Sequence, residues 1–302
     1  IPGERPTGVF TAGVAQAYIN LYNTMPAREV VILGSGDIGM IMARRLTLEG
    51  AHVQAVFEIQ PYPSGLPRNI EQCLNDYGIP LYLSHTVTAI HGDKRLTGVT
   101  ISRVDEHFKP IPGTEKEYSC DTLILSVGLI PENELSLDAG VALDGRTKGA
   151  VVDEYFQTNV PGIFAAGNVL HVHDLVDFVS DEAAIAGESA AEFIRSIREE
   201  TGEGRGAYAK PDIPEQTDIS ITTDGKIRYT VPQRITRRRD TTLFFRVADR
   251  YRNVKIHIIS DGKTIHSVRR PKAAPGEMES IPLKAALLEG VTGLRLELEE
   301  LG

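Results

Sequence analysis

Apolar positions along this chain fall into three rhythms in succession: short unbroken runs that end on glycine, helical spacing, and strict alternation. The segment REVVILGSGDIGMIMARRLTLEGAHVQAVFE holds the first two. Glu29 to Leu33 predicts a buried strand, because a continuous apolar run of that length beside a glycine turn suits a strand covered on both faces. Ile38, Ile41, Met42, Leu46 and Leu48 then recur at helical spacing with Arg44 and Arg45 outward, and Gly50 ends the helix. His52 to Glu58 predicts a second strand. Upstream, TAGVAQAYINLYN predicts a short helix after a Pro- and Gly-containing opening.

A polar loop, PYPSGLPRN, leads to a helix expected around Ile70 to Tyr77 and to a strand in IPLYLSHTVTAI. LTGVTISRV, a Pro/Gly turn and EYSCDTLILSVG predict a meander closed by a buried strand. Next, VVDEYFQTNVPGIFAAGNV predicts two short strands. SDEAAIAGESAAEFIRSIREE predicts a helix capped at Ser180 or Asp181, its acidic first turn matching the helix dipole. From about residue 217 the rhythm turns to alternation, in DISITTDGKIRYTV, TTLFFRVAD, NVKIHIIS, KTIHSVRRP and VTGLRLELEE, separated by TDG and SDG turns. The expected fold class is therefore α/β, with a Rossmann-like, mostly parallel sheet, followed by a small all-β C-terminal domain, a sandwich or barrel.

Charge divides the chain at a similar place. Residues 1–205 carry 15 Lys and Arg against 28 Asp and Glu, while residues 206–302 carry 17 against 13. The Gly-rich stretch TGEGRGAYAKP, Thr201 to Pro211, is the expected hinge. The arginine run Arg237 to Arg239 suits a charge-guarded strand edge better than a docking face for an acidic partner. With a net charge of −9 and no recognition motif, nucleic-acid binding is not expected. No apolar run approaches the roughly 20 residues that span a bilayer. No secretory leader pattern opens the chain, so a cytoplasmic location is expected. The first residue, Ile1, suggests a piece of a longer polypeptide. The two cysteines, Cys73 and Cys120, form no CxxC pair, so neither a redox dithiol nor a zinc knuckle is expected.

The strongest chemical motif is GSGDIG, comprising Gly34, Ser35, Gly36, Asp37, Ile38 and Gly39. It fits GxGxxG between a strand and a helix, the context in which such a turn binds a dinucleotide. Gly34 allows the tight turn, Gly36 the approach of a pyrophosphate, and Gly39 close helix–strand packing. Glu58, 24 residues after Gly34 at the end of the second strand, is placed to accept hydrogen bonds from a ribose diol. Its charge would repel a 2′-phosphate and IQPYPSG offers no Arg to hold one, so NAD is preferred over NADP.

With SVGLIPEN (Ser126 to Asn133) and GIFAAGNV (Gly162 to Val169), the motif makes the chain resemble the pyridine nucleotide-disulfide oxidoreductases, the two-dinucleotide-binding FAD/NAD flavoproteins. The resemblance covers roughly residues 1–200. It looks closest to flavoprotein subunits associated with glycerol-3-phosphate dehydrogenase and sarcosine oxidase, through IPGERPTGVFTAG, MARRLTLEGAHV and GNVLHVHDLVDFVS. It implies an NAD-binding domain (26–135) inserted in an FAD-binding domain whose segments are 1–25 and 136–205, with the all-β domain at 206–302. It also implies that Gly128 lies where the NAD domain returns toward the flavin, and that Gly167 and Asn168 meet the ribityl and pyrophosphate of FAD. The helix expected near Asp181 would point its positive end at the flavin ring.

The chain departs from the family's pattern in three ways. The first FAD turn, with its own GxGxxG, is not in this sequence, so the FAD site belongs to a full-length parent. The family's acid after the second glycine is Asn168 here, which both accepts and donates hydrogen bonds. No dithiol accompanies the flavin motif. Beside it, His171, His173, Asp174 and Asp177 form HVHDLVD. An H-x-H pair on a strand can chelate, but no third ligand is evident, and no metal site is expected.

The expected activity is that of an FAD-dependent NADH oxidoreductase component, passing a hydride from NADH to flavin and electrons to a partner subunit or other acceptor within an oligomer. The alternative is a truncated, flavin-free nucleotide-binding or assembly fragment of such an enzyme. A flavin-independent NAD dehydrogenase is a third possibility, but it lacks an evident substrate acid/base group. No catalytic side chain is assigned.

Overall fold

The computed structural model describes residues 5–201, 219–237 and 239–302, with side chains 198–201 excepted. The described chain divides into two compact units, residues 5–128 and 129–302. The hinge expected between Gly202 and Pro211, and Arg238 of the arginine run, lie outside the described residues.

The first unit is built on a five-stranded parallel sheet of β1 (Val9–Thr11), β2 (Glu29–Leu33), β3 (His52–Glu58), β4 (Leu81–Leu83) and β8 (Thr122–Leu125). Their order across the sheet is β1-β8-β2-β3-β4. A second layer is the antiparallel meander of β5 (His85–His91), β6 (Gly98–Arg103) and β7 (Lys116–Ser119). The single strand expected in IPLYLSHTVTAI is thus two, β4 and β5. They part at Ser84, whose φ of 56° turns the chain out of the parallel sheet. β1 pairs in parallel with β8, so the opening segment shares its sheet with the strands that surround the glycine turn.

Helix α1 (Ala12–Asn20) is capped by Thr11, whose Oγ1 accepts from the Val14 N–H at 3.4 Å. Helix α2 (Asp37–Leu48) buries Met40, Met42, Ala43 and Leu46 against the sheet. Three residues of the expected stripe, Ile38, Ile41 and Leu48, are exposed instead. Gly39 brings the helix close to the sheet, and the small Ala43 then occupies the inward stripe in their place. Helix α3 (Pro67–Cys73) begins earlier than expected, at a proline preorganised for a first helical turn, and passes into a 3₁₀ turn at Asn75–Tyr77.

The second unit opens with helix α4 (Glu134–Asp138) and loops tied by isolated bridges, Leu143 to Ala150 and Gln157 to Phe164. The second of these bridges stands where two short strands are expected. Asp153 accepts from the Tyr155 and Gln157 N–H groups, curling the chain before a ladder can extend. Helix α5 (Val176–Thr201) starts ahead of the expected cap. Ser180 lies inside it and donates its hydroxyl back to the Val176 carbonyl.

The C-terminal part is a sandwich. One sheet has the order β10 (Ile227–Val231), β12 (Thr241–Val247), β15 (Glu279–Leu283). The other runs β11 (Arg234–Ile235), β9 (Ile219–Thr223), β16 (Gly293–Glu300), β13 (Tyr251–Ser260), β14 (Lys263–Ala273). Alternate residues of both sheets meet in one core, among them Phe245 and Ile281 from the first and Ile256, Ile258 and Leu296 from the second. A smaller core joins this sandwich to the preceding loops and α5 through Phe156, Leu170, Ala186, Val231 and Phe244.

Candidate functional site

In an open α/β sheet, ligands bind beyond the strand C-termini where the strand order reverses. In the first unit that point lies between β2 and β8, and GSGDIG occupies it. Gly34 has φ of 100°, and a Cβ there would overlap the Ser126 carbonyl that follows β8. At Gly39 a Cβ would stand 2.6 Å from the Gly34 carbonyl oxygen and 2.8 Å from the Ser126 Cβ. Both glycines are therefore required by the fold itself. Gly36 differs. Its φ is −62°, and the nearest atom to a Cβ there would be Ser126 Oγ at 3.8 Å. Neither backbone conformation nor packing demands glycine at this N-cap of α2. The space beside it fits a group that must approach the backbone closely, as a dinucleotide pyrophosphate does.

Ser35 is fully buried, and its N–H and hydroxyl both donate to Glu58 Oε2, at 2.9 and 2.6 Å. Ser64 Oγ donates to the same oxygen at 2.8 Å, and the Gln60 N–H donates to Oε1 at 3.0 Å. Glu58 thus clasps the loop after β3 onto the glycine turn. Asp37 reinforces this clasp, its Oδ1 accepting from the Leu66 N–H and Asn69 Nδ2. A carboxylate offers about four acceptor positions. Oε2 takes three of these donors and Oε1 one, so Oε1 is the less occupied oxygen. Ile38 is half-exposed on the first turn of α2, and Gly128 ends the unit with no atom crowding its Cβ position.

In the second unit, Gly167 has φ of 75° and donates its N–H to Glu182 Oε2 at 3.0 Å. A Cβ on it would meet Val179 Cγ1 at 3.1 Å, so the first turn of α5 lies against this glycine. Asn168 is exposed, and its Oδ1 accepts from the His173 N–H, which closes the HVHD loop and leaves the amide NH2 as its remaining hydrogen-bonding group. His171 Nε2 meets Glu182 Oε1 at 2.6 Å, and His173 Nε2 meets Oε2 at 2.9 Å. These three side chains are at most 1% exposed. Burial alone would raise the Glu182 carboxyl, but the two imidazole N–H groups outweigh it and hold it down to about 2. Burial lowers the proton affinity of His171, against the opposing pull of Glu182.

The sandwich fixes this loop from the other side. Arg246 on β12 donates to Asp174 Oδ1 at 2.7 Å and to the Val172 and Pro275 carbonyls, and Asp174 Oδ2 accepts from the Met278 N–H. Glu182 and Arg246 are absent from the residues expected at this site. Glu182 had a signal: it falls on the inward stripe of α5 with Ala186 and Ser189, where a charged residue needs a buried partner. Arg246 had none, because only tertiary contact joins β12 to HVHD.

The sequence pattern of the family described as Pyridine nucleotide-disulphide oxidoreductase matches residues 1–190. The chain belongs to this family. Dihydrolipoyl dehydrogenase of Caenorhabditis elegans is 32% identical over 171 residues, 54% of this chain and 33% of that protein. Hydrogen cyanide synthase subunit HcnB of Pseudomonas aeruginosa is 28% identical over 219 residues, 66% of this chain and 46% of its own length. The crystal structure of T. acidophilum thioredoxin reductase aligns with a TM-score of 0.52 at 28% identity, covering 63% of this chain and 58% of that one. The chain therefore spans a third to a half of these two curated relatives. Despite the family's name, both cysteines here are buried free thiols. Burial raises Cys73 and pushes Cys120 up to about 12, so neither is a ready thiolate. Among the described residues, no helix is long and apolar enough to cross a membrane.

Proposed function

We propose that this chain is the NADH-binding and flavin-contacting part of an FAD-dependent oxidoreductase component that hands electrons to a partner subunit or other acceptor. The observation that carries the proposal is Gly36, a glycine that the fold does not need, at the N-terminus of α2 and at the reversal of strand order. When bound, the nicotinamide supplies a hydride and the flavin receives it. The chain's own residues bind and orient. The open side of Gly36 and the N–H groups of the first turn of α2 would hold the pyrophosphate, and Glu58 Oε1 would take a ribose hydroxyl.

At the second site, Asn168 would donate its NH2 to a ribityl or phosphate oxygen, and the positive end of α5 beside Gly167 would favour negative charge there. The name of HcnB as a synthase subunit supports a partner subunit. The buried acid at Glu58 and the lack of Arg in the 59–65 loop support NAD over NADP. The share of its relatives' length that the chain spans supports a second reading, a flavin-free nucleotide-binding fragment.

The test is titration of the purified chain with NADH and NADPH, together with its visible spectrum. NADH binding with absorbance near roughly 450 nm is the expected result. A colourless protein that binds NADH selects the fragment reading, and equal affinity for NADPH removes the ribose argument. Loss of NADH binding altogether overturns the assignment of the GSGDIG turn.

A further inference from the structure

The His171, His173 and Glu182 cluster has a feature that hydrogen bonding leaves unexplained. Each imidazole uses Nε2 on the Glu182 carboxylate, while both Nδ1 atoms are buried without a partner. The Glu182 carboxyl group is 0% exposed. Its partners are two imidazoles and the Gly167 N–H, and no Lys or Arg forms an ion pair with it among the described residues. Buried charges in proteins are matched by counter-charge or coordinate a metal ion. One ring nitrogen from each histidine and one carboxylate oxygen all lie within 4.8 Å of one another. Two imidazoles and one carboxylate, without thiolate, form a donor set for a borderline divalent first-row ion such as Zn2+ or Co2+.

We propose that His171, His173 and Glu182 form a binding site for one divalent transition-metal ion, which staples the Gly167 turn and the HVHD loop to helix α5. The sequence supplies the H-x-H pair, and the fold brings in the third ligand from nine and eleven residues downstream. Metal–nitrogen and metal–oxygen distances of about 2.0–2.2 Å place tetrahedral ligand atoms roughly 3.3 Å apart. His171 Nε2 stands 2.6 Å from Oε1 and His173 Nε2 2.9 Å from Oε2, so small side-chain shifts accompany replacement of the shared protons by the ion. A neutral imidazole presents either nitrogen by moving one proton between them, so each ring can ligate without changing charge. The orphaned ring nitrogens give that proton a place to go. Three protein ligands leave a coordination position open to water. This site does not depend on flavin or NADH.

The test uses the full chain, stripped with a chelator and titrated with Co2+ by visible absorption and with Zn2+ against a chromophoric chelator. One equivalent should bind with ligand-field bands of low-coordinate Co2+. Glu182→Gln should weaken Zn2+ binding by more than about tenfold, and His171→Ala/His173→Ala should abolish the site. If the double variant fails to fold, His173→Asn serves instead, with far-UV circular dichroism as the folding check. Addition of Zn2+ should raise the thermal midpoint of the wild type but not of His173→Asn. Absence of stoichiometric binding in the wild type overturns the proposal, as does equal binding by wild type and folded variants.

Discussion

Glu58 Oε2 accepts hydrogen bonds from both the amide and the hydroxyl of Ser35, at 2.9 and 2.6 Å. The acid at the end of the second strand is thus a structural clasp on the glycine turn before it meets any ligand. Removing Ser35 Oγ takes away a buried hydrogen bond to a charged group and the acceptor for the Ser64 N–H. Ser35→Ala should cost about 2 kcal/mol in urea unfolding. It should also speed amide exchange across residues 60–66. Unchanged stability would mean that Glu58 does not hold the turn.

The three glycines of GSGDIG should separate by what they do. Gly34→Ala and Gly39→Ala force a Cβ into the Ser126 backbone or side chain and should destabilise by about 1–3 kcal/mol or more. Gly36→Ala meets nothing closer than 3.8 Å and should change stability by no more than about 0.5 kcal/mol. Yet it should weaken NADH binding by about tenfold or more, equivalent to about 1.4 kcal/mol. Calorimetric titration alongside thermal unfolding checks both halves. A stable Gly36→Ala protein with full NADH affinity would remove Gly36 from the site.

His171 should resist protonation on acidification. Burial holds it below the free imidazole value of about 6.5, so the unfolded chain takes up that proton first. The stability it contributes is complete above that pH and is lost as pH falls through the lower folded value. Glu182, held at about 2, acts in the same direction further down, with its share lost between about 4.3 and 2. The stability difference between wild type and His171→Gln should therefore shrink from pH 7.5 to 5.5. A His171 ring resonance that titrates above pH 6.5 would contradict this.

Arg246→Met should strand Asp174 as a nearly buried, uncompensated carboxylate and leave the Val172 and Pro275 carbonyls without their donor. Breaking a pair at 12% and 11% side-chain exposure should cost about 3–5 kcal/mol. Hydrogen exchange should rise over residues 171–175 before α5 loosens. Protection that stays uniform across the loop would show that Asp174 is held by other means.

Labelling should find both cysteines inert. With Cys120 raised to about 12 and Cys73 also raised by burial, a thiol reagent at pH 8 should react at an appreciable rate only after denaturation. Rapid reaction of either thiol in the folded chain would contradict their burial.

The sequence by itself determined the elements whose chemistry is local. A continuous apolar run, three spaced glycines and a helical stripe dictate the strand–turn–helix at β2 and α2, because each is a pattern among neighbours in the chain, although the atoms that crowd Gly34 and Gly39 include those of distant Ser126. Alternation from residue 219 onward likewise dictates strands, and GSGDIG with GIFAAGNV carries the family. Tertiary structure decided what depends on partners far apart. It placed β1 beside β8, turned Glu58 inward onto Ser35, and divided IPLYLSHTVTAI between two sheets at Ser84. It also set Glu182 between two histidines and fastened Asp174 to Arg246, 72 residues away. Hydrophobic periodicity records which face of an element is buried, but a hydrogen bond between buried polar groups depends on which elements meet. That choice is made by packing of the whole core and leaves no repeat in the sequence.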